Sequence, residues 1–104
     1  MLPANVIDLT RTTIHRERNS GAENVLVDAV DNTKGIILWY YQANCSAASY
    51  IRINGGAEYI YSTEPPSGTS DAVCATPILL PKGVDLSVFA NTGNSNIVLA
   101  YEVL

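Results

Sequence analysis

Charge is scarce in this chain: Asp, Glu, Lys and Arg make up 15% of its 104 residues, against roughly 25% in an average globular protein. Only Lys34 and Lys82 are lysines. Less of the surface than usual repels other proteins. The net charge of -4 argues against a domain built to neutralise phosphates, which needs clustered Lys and Arg, so no nucleic-acid partner is expected. No stretch holds 18 consecutive apolar residues, and the opening "MLPANVIDLT" lacks a cationic region followed by an apolar one. Neither a membrane span nor a signal peptide is expected, which implies synthesis and folding in a cytoplasm.

Cysteine is equally sparse. Cys45 and Cys74 are 29 positions apart and belong to no Cys-x-x-Cys pair, which argues against a zinc site or a redox motif. Two buried free thiols are expected. "NCS" at 44–46 matches a glycosylation acceptor, but without export the match is fortuitous. His15 is the sole histidine. In an alternating strand Arg16 turns to the other face, which leaves His15 without a Ser or Cys to activate and makes it a solvated side chain. Asp28, Asp31 and Asn32 resemble a calcium loop only faintly, and turn chemistry explains them better. No Gly-rich loop leads from a strand into a helix, so phosphate-cradling motifs are missing too. The chain is expected to be no enzyme, with no metal and no cofactor.

What is present is a β pattern, and no segment has a helical period. Eight candidate strands lie between turn signals: 6–17, 24–30, 35–42, 49–53, 57–62, 73–80, 84–90 and 96–103. This spacing predicts an all-β fold, an antiparallel sandwich of about eight strands in a single domain over 1–104. Turn residues separate the strands: "NSG", "DNTKG", "NGG", "EPPSGTSD", "PKG" and "NTGNS". Asn54-Gly55-Gly56 is the clearest hairpin signal, because these residues take positive φ cheaply.

Parity carries the most information. Val84, Leu86, Val88 and Ala90 alternate with Asp85 and Ser87, the mark of a half-buried strand, and Ile97, Leu99, Tyr101 and Val103 read as an inward face. The run Ile36 to Tyr41 is apolar on both faces: strict alternation puts Ile36, Leu38 and Tyr40 on one and Ile37, Trp39 and Tyr41 on the other. A two-layer sandwich buries one face only, so a second subunit is expected to cover the other. Leu38, Trp39, Tyr40 and Tyr41 are therefore the candidate oligomer interface. Trp39, Tyr59 and Tyr61, with Tyr41, read either as a ring platform for a glycan or as core and interface residues.

Residues 1–20 hold Arg11, Arg16 and Arg18 against Asp8 and Glu17, a net of +1; with -4 for the whole chain, the rest carries -5. Residues 1–18 read as a polar, locally basic arm lying across an acidic partner, or as an edge strand whose charges discourage aggregation. Thr10 to Ser20, polar except for Ile14, favours the arm.

The polar start, the compact strands, the unit "ILLPKGVDLSVFA" and the closing "NIVLAYEVL" together resemble small jelly-roll proteins of tailed-phage virions, namely head decoration (cement) proteins and fibre-tip domains. The specific part of the likeness is residues 77–104. It implies a jelly roll, a virion location and a homotrimer that clamps neighbouring subunits of the major capsid protein. Arg11, Arg16 and Arg18 would be the docking charges. The alternative that the resemblance carries is a receptor- or carbohydrate-binding tip of a fibre.

Overall fold

The computed structural model describes residues 8–63 and 70–104. The first seven residues of the expected arm, and most of the Pro-Gly loop, lie outside them. Nine strands are described: β1 (Thr13–Arg18), β2 (Asn24–Val27), β3 (Ile36–Cys45), β4 (Ser49–Ile53), β5 (Glu58–Thr63), β6 (Ser70–Cys74), β7 (Ile78–Leu80), β8 (Leu86–Phe89) and β9 (Asn96–Val103). The only helical pieces among the described residues are two 3₁₀ turns, Ala29–Asp31 and Asn54–Gly56.

All pairing is antiparallel. One sheet has the order β1-β9-β3-β6, with β7 also on β3; the other has the order β2-β8-β4-β5. With the short β7 set aside, this is a hairpin rolled on itself: first strand beside last, second beside next to last, inward to the β4–β5 hairpin. That arrangement is the jelly roll. The expected strand over 73–80 divides into β6 and β7, which share one edge of β3 at different heights. Thr13–Arg18 is an edge strand in register with β9, from Thr13 opposite Tyr101 to Arg18 opposite Asn96. The arm reading therefore does not apply to these six residues, because their backbone groups are taken up by the β9 ladder.

The core lies between the sheets. Ile36, Leu38, Ala43, Cys45, Ile97 and Leu99 from one meet Val27, Ile51, Ile53, Leu86, Val88 and Ala90 from the other. At the open edge between β1 and β2, Glu17 points inward, and both His15 (2.7 Å) and the Asn24 amide (3.3 Å) hydrogen-bond to its Oε1. His15 is thus half-buried and paired with Glu17, not solvated as expected, since residues two apart on a strand share a face.

Turns are pinned by specific chemistry. Asn54, Gly55 and Gly56 all have positive φ, at 58°, 65° and 88°, and close the β4–β5 hairpin. Asn32 is buried; its amide donates to Pro81 O (2.9 Å) and Val84 O (3.0 Å), and its Oδ1 accepts from Gly35 N (2.7 Å). Gly35 cannot be replaced cheaply, for its φ is 113° and a Cβ would lie 3.0 Å from Leu80 O.

Bulges decide which side chains face out: one in β2 between Val25 and Val27, one in β3 and one in β5. In β3 the pairing with β9 shifts between Leu38 and Tyr40, so Trp39 is the extra residue and the inward parity changes from even to odd. Tyr40 faces outward and Tyr41 inward, the reverse of strict alternation. Tyr41 packs on the core with its ring centroid 5.9 Å from that of Tyr61, and burial pushes its phenol above the ordinary pKa. In β5 the shift falls between the partners of Ile51 and Arg52, with Ile60 as the extra residue. Tyr61 consequently points inward and Tyr59 outward.

Candidate functional site

Cross-strand partners lie on the same face of a sheet, so the outer face of the five-stranded sheet can be read row by row. One end carries Glu102, Ile37 and Leu79, followed by Trp39 at the bulge. Next come Ile14, Ala100 and Tyr40; then Arg16, Val98, Gln42 and Val73; and last Arg18, Asn96, Asn44 and Asp71. The face grades from apolar to polar. Ile14, Val73 and Leu79 are 57%, 64% and 69% exposed, while Ile37, Trp39 and Tyr40 are half-buried.

Glu102 is a buried carboxylate on this face, clasped by Arg11 at 2.7 Å and by the Trp39 indole at 3.3 Å. Tyr40 donates to Gln42 Oε1 at 2.9 Å. Arg16 and Arg18 form no ion pair among the described residues. With Gln42, Asn44, Asn94 and Asn96 they line a cavity of about 430 Å³ that contains no carboxylate. Ser95 Oγ and Asn96 Oδ1, buried at this end, have no hydrogen-bond partner among the described residues. Buried polar atoms are seldom left so, and an ordered water is their usual partner.

The structure divides the residues singled out from the sequence. Arg16 and Arg18 stand together, but Arg11 is already occupied by Glu102. Of the four interface candidates, Leu38 is in the core at 1% exposure and Tyr41 faces inward; Trp39 and Tyr40 remain on the surface. The trio Trp39, Tyr59 and Tyr61 is not a platform. Trp39 lies on the outer face of one sheet, Tyr59 on the outer face of the other, and Tyr61 between them. Strict alternation cannot register the bulges responsible.

The outer face of the four-stranded sheet holds an aromatic cluster that the sequence reading did not assemble. The Tyr50 ring stacks on Phe89 (5.1 Å, 28°) and meets Tyr59 edge-on (5.6 Å, 84°). The Arg52 guanidinium lies 4.5 Å from the centre of the Tyr50 ring and is ion-paired with Glu23. That hydrogen-bonded ion pair, working against partial burial, holds Glu23 below the usual carboxylate range. The signal for this cluster was the pairing of β4 with β8, which sets Tyr50 opposite Phe89.

Compared with known proteins, the chain matches no family model, no curated protein and no solved structure.

Proposed function

We propose that this chain is a non-enzymatic structural protein of a phage virion, a decoration subunit that docks through the outer face of its five-stranded sheet. The observation that carries this reading is the composition of that face. Interface centres are enriched in aromatics and Arg and depleted in Lys; here Trp39, Tyr40, Arg16 and Arg18 share one surface, and both lysines lie in turns. The apolar half, with Ile37, Tyr40 and Leu79, packs against a neighbouring copy in a homotrimer. The arginine end faces the capsid subunits. Three weak contacts made at once hold the trimer on its shell by avidity. The phage setting itself rests on the resemblance of residues 77–104.

Native mass spectrometry together with co-sedimentation on empty shells of the encoding phage tests the proposal. The wild type should form a trimer and sediment with shells. Leu79→Ser, at an exposed position, should shift the protein toward its 11.2 kDa monomer. Arg16→Gln with Arg18→Gln should keep the trimer but weaken shell binding and its salt dependence. A wild-type monomer that ignores shells sinks the reading.

A further inference from the structure

We propose that the outer face of the four-stranded sheet carries a binding site for one residue of an uncharged sugar, walled by Tyr59, Tyr50 and Phe89. Tyr59 reaches this face only because of the bulge at Ile60; in a regular strand, with Ile60 taking its turn in the alternation, it would share the inward side with Tyr61. Bulges of this kind re-aim side chains and concentrate next to functional sites. The outcome is a large apolar ring left 54% exposed, standing nearly perpendicular to Tyr50.

The corner between these rings opens into a cleft of about 230 Å³, whose lining includes Ser62 and Thr63 and contains no charged side chain. It is smaller than the roughly 300–1,000 Å³ pockets that enclose drug-sized ligands. The cleft therefore suits a single ring, with the rest of the ligand outside. A pyranose has an apolar C–H face to lay on an aromatic ring and hydroxyls that both donate and accept at its rim. The Ser62 hydroxyl, on the same face as Tyr50 and without a hydrogen bond among the described residues, offers the same dual capacity. Tyr50 is fixed for this purpose, since its hydroxyl donates to Glu23 Oε2 at 2.9 Å and Arg52 covers its ring. The charges of Arg52 and Glu23 satisfy each other, so neither calls for a charged ligand.

Other ring-bearing ligands fit less well. Nucleic-acid bases stack on aromatics within a basic groove, whereas the cation at this cluster, Arg52, is already paired with Glu23. A proline-rich peptide needs a longer groove than one ring occupies. The site is on the sheet opposite the docking face, so it stays open in a docked subunit and does not depend on the docking proposal.

Saturation-transfer NMR on the full chain, with methyl glucoside, mannoside and galactoside and N-acetylglucosamine at millimolar concentration, tests the inference. At least one sugar should receive saturation mainly on the C–H protons of one ring face. Tyr59→Ala should reduce the effect at least tenfold with an unchanged melting temperature, and Tyr59→Phe should retain it. Arg16→Gln with Arg18→Gln, on the other sheet, should leave it unaltered. No transfer to any of these sugars overturns the proposal. Transfer undiminished in Tyr59→Ala, or a proline-rich peptide that occupies the cleft while no sugar does, overturns it equally.

Discussion

The Trp39 indole and the Glu102 carboxylate are joined across the β3 bulge, Nε1 donating to Oε1 at 3.3 Å, while Arg11 holds Oε2 at 2.7 Å. Glu102 is buried, whereas the Arg11 side chain is 66% exposed. Removing the exposed partner is therefore the more damaging change, because a buried charge then loses its cation while the arginine alone would simply return to water. Arg11→Ala should destabilise by about 1–2 kcal/mol, and Glu102→Gln by less than about 1 kcal/mol, which keeps an acceptor for the indole. Urea denaturation of both variants gives the comparison; the opposite ranking removes this account of Glu102.

Neighbours in sequence should differ sharply across the bulge. Leu38→Ala deletes a core side chain and should cost about 2–5 kcal/mol. Tyr40→Ala, on the outer face, should change the stability of the monomer by less than about 1 kcal/mol. Equal losses would mean that Tyr40, too, is a core residue.

Cys45 and Cys74 should never join within one molecule. Cys45 is paired with Ser70 and Cys74 with Tyr41, so four rungs of ladder separate them, about 13 Å along the strand. A disulfide tolerates roughly 7 Å between Cα atoms. Thermal melts with and without reductant should coincide. A thiol reagent should label half-buried Cys74 in the native protein and Cys45 only on unfolding, for Cys45 is fully buried; equal native labelling contradicts the structure.

Acid should weaken the fold through Glu17 and Glu23. Burial opposes ionisation of Glu17, but hydrogen bonds from Ser20, His15 and Asn24 outweigh it and keep the carboxyl below its ordinary 4.5. Glu23 is lowered first by its hydrogen bond with Arg52. A carboxyl depressed in the folded state binds more protons when unfolded, so its contribution is complete above about 4.5 and is lost as pH falls through the folded value. The urea midpoint should be flat near neutral pH and decline below 4.5, with a shallower decline in Glu17→Gln. An identical acid slope in that variant would remove Glu17 from the account.

The amino-acid sequence by itself determined the β architecture. Turn residues such as Asn54-Gly55-Gly56 and the Gly35 and Gly83 punctuation act locally, through φ preferences that need no partner. The alternation of Leu86, Val88 and Ala90, or of Ile97, Leu99 and Tyr101, marks an inward face because a regular strand has a period of two. Only the tertiary structure decided which residues meet. The division of 73–80 into two strands depends on how β3 distributes its edge. Glu17 attracts His15 and Asn24 because two sheet edges come together there. Above all, Tyr40 and Tyr41, like Tyr59 and Tyr61, exchange or lose the faces that alternation assigns them. A bulge is a mismatch between two strands, and one strand read alone carries no record of the residue that its partner leaves unpaired.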